Sequence, residues 1–297
     1  MIDINGFRLK AEISFRRLAP MPSKLILLGT GGGRHTTMFQ ARSTGGFLLN
    51  ARDSWVHVDP GPGALVNMMR IGYNLEGTNG IVISHCHPDH YSDAEVAIEG
   101  MSRGGWVRNG ELYGTKSVLE GSGGLGPCIS KYHQGLASGR HLVKAGDRRM
   151  ICGIPAEITK TDHSDPCNVG FRFDTGDGIV SYVSDTSYSE EIAAQHKGAR
   201  VLLLPVTTPS GNRIKYHLCT DDAYEFIDIV KPELAVFVHM GIVMLRRDAD
   251  AQAREVEEAT GIRTIAGRDL MTLDLEEKVR MDSAPLRDGS WNPVWNI

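Results

Sequence analysis

Ser84-His85-Cys86-His87-Pro88-Asp89-His90 is the stretch on which the reading of this chain turns. It leaves the apolar run Ile81-Val82-Ile83, which is short and β-branched and predicts a buried strand. Three imidazoles and a carboxylate within six residues, at a strand exit, make a dense set of metal donors. On the short turn after a strand, His85 and His87 can converge on one ion while Asp89 and His90 serve a second. A solvated loop that happens to be His-rich is the bland alternative. It suits a single stray histidine better than four donors in one turn.

The His-x-His-x-Asp-His spacing resembles the metallo-β-lactamase superfamily, and the flanking chain extends the likeness. That family needs a further His, then an Asp, then a last His, each at a strand end; His163, Asp185 and His239 stand in that order. His163 opens a segment running to Phe173 that looks like the family's third motif. Ile179 to Thr186 reads as a strand ending in Asp-Thr, and Leu234 to His239 as an apolar strand ending in His. Asp59, before Pro60-Gly61-Pro62-Gly63, looks like the first motif. The likeness covers roughly residues 24 to 275. It implies an α/β fold, an αββα sandwich of two mixed β-sheets flanked by helices.

The resemblance also implies the chemistry. It assigns His85, His87 and His163 to one divalent ion and Asp89, His90 and His239 to another, with Asp185 bridging. Mixed imidazole and carboxylate donors suit Zn²⁺ first, with Mn²⁺ or Fe²⁺ also accepted. A hydroxide shared by the two ions is then the nucleophile, and Asp89 also holds the attacking water. Asp59 is expected to orient the metal loop by hydrogen bonds.

Other segments carry expectations of their own. At 297 residues and 41% hydrophobic composition, with no break that marks a linker, residues 24–297 read as a single domain. Residues 1–23 read as an extension packed on it, an edge hairpin or a basic arm. Thr30-Gly31-Gly32-Gly33-Arg34-His35 lacks the Lys-Ser or Lys-Thr of a P-loop, so its glycines are expected to let backbone approach the site. Arg34 and His35 are candidate contacts to a substrate anion. Met150 to Thr161 reads as one strand, Thr220 as the N-cap of a helix, and Arg247 to Thr260 as a second helix. Gly121 to Pro127 reads as a loop or lid.

His217 stands just before the helix at Thr220, facing the site. Ribonuclease Z-like phosphodiesterases carry a His-x-x-Thr-type motif there, and His217-Leu218-Cys219-Thr220 is similar. An alkoxide is a poor leaving group, so a proton donor at this place argues for a phosphodiester substrate. A packing or capping imidazole is the bland alternative. Asp185 follows His163 by only 22 positions, so the long tRNA-holding arm of ribonuclease Z is lacking, and a small phosphodiester or cyclic nucleotide fits better. A lactonase or thioesterase of the same fold, an endoribonuclease, and a non-enzymatic metal binder stay open as alternatives.

The net charge of −4 gives no basic footprint for broad nucleic-acid binding, so nucleic acid is admitted but not indicated. Five cysteines without a C-x-x-C pair suit free thiols in a reducing cytosol. With no signal-like start and no membrane-length apolar run, a cytoplasmic protein is expected, with no membrane partner. The expected partners are a small-molecule substrate and a second copy in a homodimer.

Overall fold

The computed structural model describes residues 22–287. The extension expected at the amino terminus lies, up to residue 21, outside the described residues. Eight strands form the first sheet. They are β1 (Lys24–Leu27), β2 (Phe47–Ala51), β3 (Ser54–Val58), β4 (Gly80–Ile83), β5 (Glu111–Gly114) and β6 (Gly139–Leu142), joined by two late strands. The second sheet holds β7 (Arg148–Ile151), β8 (Ile154–Lys160), β9 (Val169–Asp174), β10 (Ile179–Tyr182), β11 (Val201–Thr208), β12 (Leu218–Cys219), β13 (Leu234–Val238) and β14 (Thr264–Ala266). The chain then returns to the first sheet as β15 (Met271–Leu275) and β16 (Val279–Ser283), beside β1.

The two sheets are mixed and face one another. Leu25, Leu27, Phe47, Leu49, Val56 and Val58 from the first meet Ile158, Phe171, Phe173, Val180, Leu203 and Val236 from the second. The alternate residues of the same strands are also buried, against helices, which is why strands such as Val201-Leu202-Leu203-Leu204 read as unbroken apolar runs. Between β1 and β6 the chain also forms α1 (Arg34–Phe39), α2 (Ala64–Arg70), α3 (Pro88–Tyr91), α4 (Ala94–Met101), α5 (Lys116–Leu119) and α6 (Lys131–Gln134), of which α2, α4 and α5 cover the first sheet. Ile81, Ile83 and Leu112 pack there on Ala97, Ile98 and Val118. The second sheet is covered by α7 (Glu190–Ala194), α8 (Thr220–Val230), α9 (Ile242–Arg246) and α10 (Ala249–Thr260), with Leu202, Leu204 and Phe237 against Phe226, Ile227 and Val256. This is the αββα sandwich.

Topology decides where the site lies. β3 and β4 run parallel, and so do β10, β11 and β13, so their carboxyl ends open on one edge of each sheet. β8 and β10 are both antiparallel to β9, which sends the exit of β8 to that same edge. Asp59 (φ 52°), Ser184 (φ 59°) and His239 (φ 53°) follow β3, β10 and β13 in left-handed backbone, a conformation that costs free energy and concentrates at functional sites.

Three local readings need correction. Met150 to Thr161 is a hairpin of β7 and β8 instead of one strand, because Cys152 (φ 48°) and Gly153 (φ 83°) turn the chain. Thr220 is the first residue of α8 and not its cap: Cys219 takes the cap position, and the Asp222 carboxylate accepts its N–H at 3.0 Å. The helix expected from Arg247 to Thr260 is α10 and starts two residues later, at Ala249, because Asp248 caps it by accepting from the Ala251 N–H at 3.1 Å. Among the described residues, no helix is long and apolar enough to cross a membrane.

Candidate metal centre

His85 and His87 leave β4 on a short turn, and Pro88 starts α3, which carries Asp89 and His90 round to the same side. His163 comes from the loop after β8, Asp185 from that after β10, His239 from the end of β13, and His217 from the turn before β12. His85 Nε2 and His163 Nε2 lie 3.0 and 3.1 Å from His87 Nδ1. Asp185 Oδ2 lies 3.1 Å from His239 Nε2, 3.6 Å from His90 Nε2, 3.7 Å from His217 Nδ1, 3.9 Å from His163 Nε2 and 4.0 Å from His85 Nε2. Asp89 Oδ2 is 3.3 Å from His239 Nε2 and 3.8 Å from His90 Nε2.

These atoms fit divalent cations. Ligand atoms of His85, His87 and His163 lie within 4.8 Å of one another, as do those of Asp89, His90 and His239. Two further triads, His85 with His90 and Asp185, and His163 with Asp185 and His217, share Asp185 and overlap the first two through His85, His90 and His163. Inside this cluster His90 Nε2, Asp185 Oδ1 and His217 Nδ1 are buried without a hydrogen-bond partner. Orphaned buried polar atoms are costly, and three aimed at one space mark a place for an ion.

The opposite nitrogen of four imidazoles is held. His85 Nδ1 meets Ser84 Oγ at 3.0 Å, His90 Nδ1 meets Asp59 Oδ2 at 2.9 Å, His163 Nδ1 meets the Tyr216 carbonyl at 3.2 Å, and His239 Nδ1 meets Thr207 Oγ1 at 3.0 Å. Such partners fix ring orientation and leave Nε2 for an ion. Asp59 also accepts the Ser84 N–H and hydroxyl, each at 2.7 Å, and the Tyr182 hydroxyl at 2.8 Å. Asn168 donates to the Asp185 carbonyl at 2.6 Å and accepts from Ser184 Oγ at 2.9 Å, setting the backbone that presents Asp185.

The Gly-rich loop after β1 comes right against the centre. A Cβ on Gly32 would sit 2.2 Å from the His239 ring, and the Gly33 N–H donates to Asp89 Oδ2 at 2.9 Å. Gly61 is equally constrained, since its Cβ would fall 1.8 Å from the Asp89 carbonyl. Arg34 and His35 begin α1, directly after this loop, and are exposed. Among the described residues neither side chain makes a hydrogen bond or ion pair. His57 is not at the centre: it is fully buried in β3, its Nε2 on the Gly45 carbonyl at 2.9 Å, and burial lowers it to about 4.

Protonation in the metal-free protein follows the charges. Burial opposes the His239 imidazolium, but Asp185 and Asp89 outweigh it and raise the group to about 9. His90 is raised for the same reason, against its own burial. Burial together with the His90 charge holds His85 well below its ordinary value, and burial lowers His217 to about 4. Burial favours a protonated Asp185, yet His239 and His90 win and keep it ionised.

Sequence pattern alone does not single out several of these groups: Ser84, Asn168, Tyr182, Thr207 and the Tyr216 carbonyl. Tyr216 carries one signal, a left-handed φ of 70° in a non-glycine residue, but only the structure displays it.

Comparison with known proteins bears on the family and the fold. The Beta-lactamase superfamily domain matches residues 54–240. Protein MJ1374 of Methanocaldococcus jannaschii is 37% identical over 250 residues, 84% of this chain and 93% of its own. Ribonuclease Z of Methanosarcina mazei is 29% identical over 147 residues, 48% of this chain and 46% of that enzyme. The crystal structure of the metallo-beta-lactamase fold protein YhfI from Bacillus subtilis superimposes with a TM-score of 0.70 at 17% identity, covering 84% of this chain and 98% of YhfI.

Proposed function

The chain belongs to the beta-lactamase superfamily, and from that premise we propose that it is a metal-dependent hydrolase of small phosphodiesters or cyclic nucleotides. The observation that carries the phosphodiester reading is His217. Its Nδ1 is buried, unpartnered and 3.7 Å from Asp185, while the side chain keeps 21% exposure. This leaves Nε2 as the nitrogen open to a substrate.

Two divalent ions, zinc first, held by His85, His87 and His163 and by Asp89, His90 and His239 with Asp185 between, would supply a water of lowered pKa and carry charge on the reacting oxygens. Asp89, steadied by the Gly33 N–H, orients the attacking water. The Asp185 carboxylate and the stacked His239 ring, 5.4 Å away between centroids, hold the His217 plane. His217 then gives its Nε2 proton to the departing alkoxide oxygen as the phosphorus–oxygen bond breaks. An anionic substrate beside the imidazole favours its protonated form. Arg34 and His35, at the start of α1, meet the substrate's remaining charge. The partial likeness to ribonuclease Z supports phosphorus chemistry, while the 22-position step from His163 to Asp185 leaves no room for a long arm.

The test is turnover of three substrate classes by the metal-loaded protein: a phosphodiester, a lactone and a thioester. The phosphodiester should be turned over with a kcat/KM at least about 100-fold above the other two, about 2.7 kcal/mol of selective transition-state binding. A lactone or thioester turned over faster than every phosphodiester tried would make the protein a carbonyl hydrolase.

A further inference from the structure

The Asp165 carboxylate is 1% exposed and touches none of the groups given a chemical task above. Its Oδ2 accepts the Cys86 N–H at 2.9 Å and the Ser117 hydroxyl at 2.6 Å, and its Oδ1 accepts the Cys167 N–H at 2.8 Å. Cys86 is the residue between His85 and His87, and Asp165 lies two residues beyond His163. One buried anion therefore ties the loop after β4 to the loop after β8. Through Ser117 it also ties both to the start of α5. Those two loops carry the three imidazoles whose nitrogens converge on His87 Nδ1. Asp59 works differently, gripping the His90 ring directly and reaching His85 only through Ser84.

We infer that Asp165 is a positioning residue for the His85, His87 and His163 half of the metal centre, acting through the Cys86 backbone. The inference rests on the two-ion reading above. Metal ligands must sit within about 0.2 Å of their required distances, and these three come from loops far apart in sequence. Short bonds to a carboxylate make a stiff tie, stronger than bonds between neutral groups. Asparagine at 165 keeps the shape but offers one acceptor oxygen, so the N–H of Cys86 or that of Cys167 would face an amide NH₂.

The experiment is a Co²⁺ titration of the full chain, followed by visible absorption and bound-metal stoichiometry. Wild type, Asp165→Asn, Ser117→Ala, His87→Ala and His239→Ala are compared. Asp165→Asn should lose about 10–100-fold in affinity for one ion and keep the other. At a Co²⁺ level that fills wild type, its residual spectrum should match that of His87→Ala and differ from that of His239→Ala. Ser117→Ala, which removes one of the three bonds, should shift the same ion less. Wild-type affinity for both ions, equal loss of both, or a spectrum matching His239→Ala would overturn the inference while leaving two ions in place. Wild type saturating at one Co²⁺ would overturn the two-ion reading and this inference with it. Should Asp165→Asn fail to fold, Ser117→Ala decides: weakened binding in the His87 half supports the assignment, and wild-type binding in both halves overturns it.

Discussion

Asp185→Asn should leave the protein folded but with little bound metal and with phosphodiester turnover at the metal-free level. Asp185 Oδ2 lies 3.1 to 4.0 Å from nitrogens of five histidines, so no other carboxylate in the cluster addresses as many donors. Removing an outer hydrogen-bonding carboxylate costs about 10–100-fold in metal affinity. Neutralising a group that faces both halves of the centre should exceed the upper end of that range for both ions. Elemental analysis after dialysis at fixed free metal, beside circular dichroism, reads the outcome. Two ions retained at wild-type affinity would show that Asp185 is not shared between them.

His217→Ala should keep its metals and lose about 10²–10⁴ in rate on diesters with basic leaving groups. On an activated nitrophenyl phosphodiester, whose leaving group departs unaided, the loss should be much smaller. That split follows from an imidazole that meets the substrate through Nε2 while Nδ1 faces Asp185. Equal losses on both substrates would reassign His217 to binding. Loss of metal would make it a ligand, a role for which its triad with His163 and Asp185 also has the atoms. Full activity on every phosphodiester would reduce it to a packing group.

The donor cluster was legible in the sequence because its members sit at strand exits, where local pattern alone marks them. His85, His87, Asp89 and His90 share one turn, and His239 ends an apolar run. The groups that orient them were not legible, because they meet only when the sheets fold face to face. Tyr182 reaches Asp59 across 123 residues, and Asp165 reaches the Cys86 N–H across 79. Thr207 carries no local mark of its task, yet its hydroxyl meets His239 Nδ1 across 32 residues. The β7–β8 turn leaves little mark in the sequence because Cys152, a residue type with no turn preference, takes a left-handed φ. The cap of α8 departs from the pattern because threonine caps better than cysteine in general, and here Asp222 closes the capping box with Cys219 instead.

The central claim is that hydrolysis depends on two ions held in this one cluster. Its most direct test is phosphodiester turnover measured while Zn²⁺ is added back to the stripped protein, with bound metal counted at each step. Turnover should be negligible without metal and should reach its plateau as the second ion per chain binds. A plateau at one ion, or undiminished turnover by the stripped protein, would contradict it.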